Sequence, residues 1–300
     1  MICRWLFFIA LSCILLTHCD SRAQLQIGSK IDTEGAILGY IQLLALQRAG
    51  FTVEDRIETG PTLITRRALL YGELDGYIEY TGTALVNFMG EKSNAVLTNP
   101  DTAWSRIANW DSSANDMIWL EPWSGINNTY TVLVGEKLAA EAKLKTISDL
   151  QRYLLEGGRI SFGTDPEFAV RPDGLPGLQK AYNFDSAETF SVRQMDAGLV
   201  YQTLQQGSID AAIGYATDGR ISAYGLQRLT DDRNYFPVYN PAPVFREETI
   251  RKYPKIRAVL QRVATKLTAN DITRMNYLHD VEFKRARVLA EEWLKANHLW

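Results

Sequence analysis

Residues 70–82 read LYGELDGYIEYTG, and residues 205–217 read QQGSIDAAIGYAT. In each segment a helix-like stretch ends at a glycine and a tyrosine follows eight residues later; these residues are Gly72 and Tyr80 in the first copy and Gly207 and Tyr215 in the second. Glycine often closes a helix, and a tyrosine just past a strand lies at the carboxyl edge of an open sheet, where such folds bind ligands. Two copies predict two α/β lobes that share a cleft, with a chance recurrence as the alternative.

The rest of the chain alternates strand-like and helix-like patterns, which favours an α/β fold. Asp32-Thr33-Glu34 is good N-capping chemistry for a helix that ends at Gly50, and Pro61 is expected to open the next helix. Because no low-complexity linker divides the chain, strand-like crossings are expected to join the lobes. Strands are expected at 25–28, 52–57, 118–120 and 129–134, and further helices at 136–158, 250–264 and 273–296.

The N-terminus has the pattern of a secretory signal peptide. Arg4 precedes an apolar run over residues 5–16, which is shorter than the roughly 20 residues that a membrane span needs. Small residues before position 24 predict cleavage there, so residues 1–23 are interpreted as a signal peptide that directs the protein to the periplasm. A lipid anchor at Cys19 is the alternative.

Composition excludes several classes of function. All three cysteines lie within residues 1–23, so the mature chain offers no thiol for a disulfide, a zinc site or nucleophilic catalysis. His279 and His298 are not at metal-ligand spacing, and neither a metal nor a cofactor is expected. Removing residues 1–23 leaves 30 basic and 34 acidic residues, whereas nucleic-acid binding requires a dense positive surface.

Five segments of the mature chain recur together, and in order, in one protein family. They are GSKIDTEG at 28–35, GELDGYIEYTGT at 72–83, NNTYT at 127–131, YATDG at 215–219 and YNPAP at 239–243. On these segments the chain resembles the substrate-binding proteins of osmoprotectant ABC transporters of the glycine betaine, choline and carnitine type. Within that family it is most similar to the OsmF (YehZ) branch.

The resemblance implies a type II periplasmic-binding-protein fold, in which two lobes joined by two crossings close on a ligand. Lobe one would comprise residues 24–128 plus 234–300, and lobe two residues 129–233. It also implies a monomer, without a cofactor, that delivers a small quaternary-ammonium solute to the membrane permease of an ABC importer.

The resemblance also assigns site residues. The family holds the cationic head of the ligand among aromatic rings, and the matching positions here are Tyr80, Tyr130, Tyr215 and Tyr239. A ligand carboxylate is held by a lysine, a threonine and an arginine, which match Lys30, Thr83 and Arg171. A trimethylammonium group carries charge but has no N–H, so aromatic faces recognise it through cation–π attraction.

Three other functions stay open at this point. The first is a binding protein of the same fold for another polar solute, such as an amino acid. The second is an enzyme in which carboxylates such as Glu79 or Asp210 perform acid–base work, although each is better placed to orient a neighbouring loop. The third is the effector domain of a regulator, against which the predicted signal peptide counts.

Overall fold

We describe the protein from a computed structural model that covers residues 24–171, 173–184 and 188–300. The predicted signal peptide, residues 1–23, lies outside the described residues. Within them, no helix combines the length and the apolar character that crossing a membrane requires. In chain order the strands are β1 (Gln24–Lys30), β2 (Thr52–Gly60), β3 (Gly76–Tyr80), β4 (Met117–Trp119), β5 (Tyr130–Gly135), β6 (Ile160–Thr164), β7 (Phe190–Gln194), β8 (Ala211–Tyr215), β9 (Leu226–Leu229) and β10 (Pro241–Arg246).

Helices alternate with these strands, and several of them are single turns. They are α1 (Thr33–Arg48), α2 (Thr62–Leu70), α3 (Thr81–Ala84), α4 (Asn94–Leu97), α5 (Pro100–Asn115), α6 (Glu136–Glu141), α7 (Ile147–Leu155), α8 (Pro166–Val170), α9 (Leu175–Ala181), α10 (Ala197–Gln205), α11 (Arg220–Ala223), α12 (Glu247–Lys252), α13 (Lys255–Ala264), α14 (Ala269–Asp280) and α15 (Ala286–Ala296). A π-helical turn, Leu85–Met89, directly follows α3.

The strands form two five-stranded sheets with the same layout. The strand order is β2-β1-β3-β10-β4 in the first sheet and β7-β6-β8-β5-β9 in the second. In each sheet, three neighbouring parallel strands are followed by one antiparallel strand, β10 or β5. Helices pack against both sheets, so each sheet is the centre of an α/β lobe. The predicted two-lobed α/β fold is confirmed.

The two repeated segments occupy equivalent places in these sheets. The glycine of each copy follows a helix with a φ of +78° or +69°, a left-handed conformation that glycine adopts without steric cost. The aspartate of each copy binds the backbone of the neighbouring parallel strand. The Asp75 carboxylate accepts a hydrogen bond from the N–H of Gln26 at 2.8 Å, and Asp210 accepts one from Ser161 at 2.7 Å. Asp210 therefore fixes the position of strand β6 through this hydrogen bond. This is an orienting role.

The predicted helix over 136–158 is two helices, α6 and α7. Thr146 starts the second one with a capping box, in which its hydroxyl accepts a hydrogen bond from the N–H of Asp149 and the Asp149 carboxylate accepts one from the N–H of Thr146. This pattern begins a new helix, and the prediction of one continuous helix was wrong because it overlooked the cap.

The two predicted C-terminal helices are also divided. Pro254 separates α12 from α13, since the residue before a proline is driven out of the helical conformation. The stretch 273–296 is interrupted between α14 and α15, and α14 begins earlier than expected, after the capping box of Thr268 and Asp271. The first helix ends at Arg48, two residues before the predicted end.

Two extended segments connect the lobes and run side by side. The backbone N–H of Asn128 donates to the carbonyl oxygen of Tyr239 at 3.1 Å, and the N–H of Tyr239 donates to the side chain of Asn127 at 2.8 Å. The side-chain amide of Asn240 donates to the carbonyl oxygen of Ile126 at 2.6 Å. The motifs NNTYT and YNPAP therefore build the connection between the lobes. The lobe boundaries given above stay a prediction.

Candidate functional site

A cleft of about 570 Å³ lies between the lobes. All seven residues that the sequence analysis assigned to ligand binding line this cleft. They are Lys30, Tyr80, Thr83, Tyr130, Arg171, Tyr215 and Tyr239. The structure thus brings together residues that lie far apart in the chain. Their roles toward a ligand stay a prediction.

Strand ends position the tyrosines. Tyr80 is the last residue of β3 and Tyr215 the last residue of β8, so both lie at the carboxyl edge of parallel strands. Tyr130 begins β5, which runs antiparallel to β8 and pairs Tyr130 with Tyr215. Tyr239 lies in the second crossing, two residues before Pro241, which pairs with Tyr80. The shared layout of the sheets therefore directs all four rings to the same cleft.

Tyr130 is the centre of an aromatic cluster on the second-lobe side. Its ring lies 5.2 Å from Tyr215 at an interplanar angle of 33° and 5.5 Å from Tyr239 at 86°, measured between ring centroids. Phe168 and Phe236 support it from behind at 4.8 and 6.0 Å. The Tyr130–Tyr239 pair has the favoured edge-to-face geometry, and the contacts with all four rings hold Tyr130 in the cleft wall.

The four phenols are neutral at physiological pH. Burial is the largest cause that raises the pKa of each of them well above its ordinary value of 10, and neighbouring acidic groups add to the effect. A neutral ring presents its π face to a cation. The cleft wall therefore offers aromatic faces and not phenolate charges.

Lys30 already has an anionic partner. Its Nζ lies 3.0 Å from Oε1 of Glu79, which is fully buried and also accepts hydrogen bonds from the Tyr77 hydroxyl at 3.1 Å and the N–H of Tyr80 at 2.7 Å. The same ammonium lies 4.3 Å from the centroid of the Tyr80 ring. Burial acts to lower the pKa of Lys30, but Glu79, Asp32 and Glu167 together outweigh it and raise the pKa above its ordinary value. Lys30 is charged, and among the described residues its ammonium donates one hydrogen bond, to Glu79, out of the three that it can donate.

The side chain of Arg171 donates more hydrogen bonds than that of Lys30 does. Its guanidinium donates from Nε and Nη2 to Asp173 at 3.0 and 2.6 Å, and from Nη1 to Glu167 at 3.0 Å. Burial acts to lower the pKa of Arg171, but the hydrogen bonds to Asp173 raise it. Thr83 lies in the short helix α3 directly after Tyr80 and is 8% exposed.

Sequence analysis missed a buried carboxylate in the same cleft. Glu34 is 4% exposed and accepts hydrogen bonds from the Tyr80 hydroxyl at 2.7 Å, the Thr217 hydroxyl at 2.5 Å and the Asn276 amide at 2.8 Å. Burial raises the pKa of Glu34 above its ordinary value, and these three hydrogen bonds oppose the rise. The motif that contains Glu34 was interpreted as a helix cap and as a family segment, and no role was assigned to Glu34 itself; the cap is Asp32.

The charged residues of the cleft are predominantly acidic. Three are basic and six are acidic: Lys30, Arg171 and Arg220 against Asp32, Glu34, Glu167, Asp196, Asp218 and Asp280. Low-dielectric walls concentrate the field of such a cluster. The cleft therefore attracts a cationic group.

A second hollow, of about 630 Å³, lies on the first lobe. Trp104 is the one aromatic side chain among the residues that line it, whereas five tyrosines line the interlobe cleft. The interlobe cleft is therefore the candidate ligand site.

Residues 23–296 match the family model described as the substrate-binding domain of ABC-type glycine betaine transport systems. The chain belongs to this family. A member of the glycine betaine transport family is a substrate-binding protein, which binds a small solute for an ABC importer, and it is not an enzyme. The family assignment made from the five sequence segments is confirmed.

Two curated relatives are similar along nearly their whole length. The chain is 36% identical over 280 residues to the glycine betaine-binding protein YehZ of Escherichia coli strain K12, covering 92% of this chain and 91% of the relative. It is 35% identical over 283 residues to a glycine-betaine-binding protein of Pseudomonas aeruginosa, covering 92% and 88%.

Solved structures of the glycine betaine transport family share the fold. Apo YehZ from E. coli is similar with a TM-score of 0.74 over 93% of this chain and all of the other, at 36% identity. A glycine betaine/carnitine/choline ABC transporter structure is similar with a TM-score of 0.78 over 92% and 99%, at 29% identity.

Proposed function

We propose that this protein captures a quaternary-ammonium osmoprotectant, with glycine betaine as the first candidate, and delivers it to an ABC permease. The observation that carries the proposal is the convergence of four neutral tyrosines from both lobes and a crossing on one acidic cleft. Relatives at 36% and 35% identity are named for glycine betaine.

Cation–π attraction would supply a large part of the binding free energy. Each ring contributes about 0.5–1 kcal/mol when exposed and about 2 kcal/mol when desolvated, so four rings give up to roughly 8 kcal/mol before ordering costs. Micromolar affinity corresponds to about −8 kcal/mol. Binding at that level therefore needs closure of the lobes, which desolvates the rings, or a second group of contacts.

A ligand carboxylate would supply the second group of contacts. We assign binding of this carboxylate to Lys30 and Thr83 first. Arg171 is the weakest candidate, because its guanidinium already donates hydrogen bonds to Asp173 and Glu167. Lys30 is better suited, since Glu79 takes one N–H bond of its ammonium and leaves two.

Titration calorimetry with glycine betaine, choline, carnitine and proline tests the ligand class. We expect binding heat with at least one quaternary amine and none with proline. Absence of heat and of a fluorescence change with every quaternary amine would sink the proposal. Binding of proline alone would favour the alternative, an amino-acid-binding protein of the same fold.

Replacing Lys30 by alanine is expected to weaken glycine betaine binding by about 10- to 150-fold and choline binding much less, because a charged hydrogen bond contributes about 1.5–3 kcal/mol and choline has no carboxylate. Calorimetry with both ligands measures the difference. The double variant Lys30→Ala/Glu79→Gln is the control, since Lys30→Ala alone leaves the buried Glu79 carboxylate unpaired. An equal loss for both ligands would remove Lys30 from the carboxylate role.

The proposal also covers the location of the protein, its oligomeric state and the boundaries of its lobes. We propose export to the periplasm with removal of residues 1–23, and action as a monomer. We also propose that lobe one comprises residues 24–128 plus 234–300 and lobe two residues 129–233, because the strands of each sheet fall inside these ranges.

A further inference from the structure

The loop after β8 reaches across the cleft from the second lobe to the first. Thr217 donates its hydroxyl hydrogen to Oε2 of Glu34 at 2.5 Å, and its carbonyl oxygen accepts a hydrogen bond from the Asn276 amide at 3.0 Å. The same amide donates to Oε2 of Glu34 at 2.8 Å. One buried carboxylate and one amide of the first lobe therefore bind the hydroxyl and the carbonyl oxygen of Thr217.

The far end of the same loop makes a second contact with the first lobe. Nη2 of Arg220 lies 3.3 Å from Oδ2 of Asp280 in α14, and Asp218 orients the guanidinium through hydrogen bonds of 2.9 and 2.5 Å. The Thr33 hydroxyl at the start of α1 donates to the other oxygen of Asp280 at 2.7 Å. Residues 217–220, which we call the latch loop, are thus bound at both ends.

Between these contacts the backbone of the latch loop lies directly on α14. A Cβ atom added at Gly219 would be 2.4 Å from the Cβ of Tyr277 and 2.9 Å from the carbonyl oxygen of Thr273. The φ of Gly219 is −67°, which any residue adopts. The close approach to the opposite lobe, and not the backbone conformation, is therefore what a larger residue would disturb.

Glu34 joins this contact to the ligand cage. Its Oε1 accepts the hydrogen bond from the Tyr80 hydroxyl at 2.7 Å, while its Oε2 accepts the one from Thr217. A buried carboxylate left with too few donors is costly. Opening the cleft removes the Thr217 donor, and docking of the latch loop restores it beside the group that orients the Tyr80 ring.

We infer that Glu34 is a positioning residue for ligand binding, which couples docking of the latch loop to the placement of the Tyr80 ring. The inference rests on the proposed function in one respect, because it treats the cleft as one that opens and closes around a ligand. Glu34 acts through Tyr80 and Thr217, and it needs no contact with the ligand itself.

The test compares the lobe separation and the ligand affinity of matched variants. Spin labels at Leu63→Cys and Leu199→Cys report the separation, because residues 62 and 198 line opposite walls of the cleft and both leucines are more than half exposed. Residues 24–300 contain no cysteine of their own, so the mature protein is labelled only at these two positions. Distances are measured without ligand and with saturating glycine betaine, and calorimetry gives the affinity.

Three side-chain substitutions distinguish the proposed coupling from an effect of packing alone. Glu34→Ala is expected to shift the ligand-free distances to longer values and to weaken binding by more than 10-fold. Glu34→Gln keeps the shape and, with the Tyr80 hydroxyl turned to accept, all three hydrogen bonds, so it is expected to stay within about threefold of the parent. Thr217→Val, which removes one donor with little change of shape, is expected to weaken binding by roughly 10-fold.

Glycine substitutions test the docking of the loop without touching any polar group. Gly219→Ala is expected to lengthen the distances and to weaken binding by about 10-fold or more. Gly135→Ala is the matched control, because a Cβ there meets nothing within 4 Å, and it is expected to change neither quantity.

Each result decides the inference. Equal losses for Glu34→Ala and Glu34→Gln, or unchanged distances and affinity for Thr217→Val and Gly219→Ala, would overturn it. If the parent protein binds no quaternary amine, the proposed function fails, and the ligand-free distances of the same variants still decide the role of the latch loop.

Discussion

Replacing Tyr215 by alanine is expected to weaken binding of the quaternary-ammonium ligand by roughly 1–3 kcal/mol, or about 5- to 150-fold. The ring stacks on Tyr130 at 5.2 Å and is half-buried, so part of it is presented to the cleft. Its loss removes one cage wall and admits water beside the cation, which weakens the attraction of the remaining rings. Calorimetry with glycine betaine, or with whichever quaternary amine binds most tightly, measures the effect.

Tyr215→Phe is the matched control, because it keeps the ring and removes only the hydroxyl. Its loss is expected to be much smaller than that of Tyr215→Ala. A loss as large as that of the alanine variant would mean that the hydroxyl, and not the ring, recognises the ligand.

Tyr80→Phe does not serve as an equivalent control. The Tyr80 hydroxyl donates to the buried carboxylate of Glu34 at 2.7 Å, so phenylalanine would remove a donor from a buried acceptor at a cost of about 1–3 kcal/mol. We therefore expect Tyr80→Phe to lose more affinity than Tyr215→Phe. Equal losses would show that the hydrogen bond to Glu34 does not contribute to binding.

The repeated segments made the two-lobed fold predictable, and the structure explains why. Each copy contains a helix-closing glycine, an aspartate that binds the neighbouring strand and a tyrosine at the strand end, all of which are local requirements of one β-strand position. Local requirements leave a local signature in the sequence. Helix lengths were predicted less well, because the caps at Thr146 and Thr268 were not weighed against a continuous apolar pattern.

The tyrosines of the proposed cage were predictable only in part from the residues themselves. Tyr80 and Tyr215 follow from their equal distance to a glycine, whereas Tyr130 and Tyr239 came from the family resemblance. Glu34 and Asn276 could not be identified, because their contact joins residues 242 positions apart that come together only when the two chain segments of the first lobe pack. A single acidic residue after a capping aspartate gives no sign of such a partner.

The largest effect on stability is expected from Asp111, a residue outside the cleft. Asp111 is fully buried and pairs with Arg66, whose Nη1 donates to Oδ2 at 2.9 Å. The same carboxylate accepts hydrogen bonds from the Trp119 indole at 2.7 Å and the Asn115 amide at 2.8 Å. Nη2 of Arg66 donates to the other carboxylate oxygen, so each oxygen of Asp111 accepts two hydrogen bonds from the first lobe.

Asp111→Ala is expected to lower the free energy of unfolding by about 3–5 kcal/mol, because it leaves the buried Arg66 guanidinium without its partner. The double variant Arg66→Met/Asp111→Asn is expected to lose less than the sum of the two single changes, since no charge is then left unpaired. Denaturant unfolding measures both, with Glu141→Ala as the control, because Glu141 forms an exposed ion pair with Lys137 and such pairs contribute about 0–1 kcal/mol. Since Asp111 does not line the cleft, ligand affinity measured well below the unfolding transition is expected to stay unchanged. A loss of affinity without a loss of stability would instead place this ion pair in the control of the ligand site.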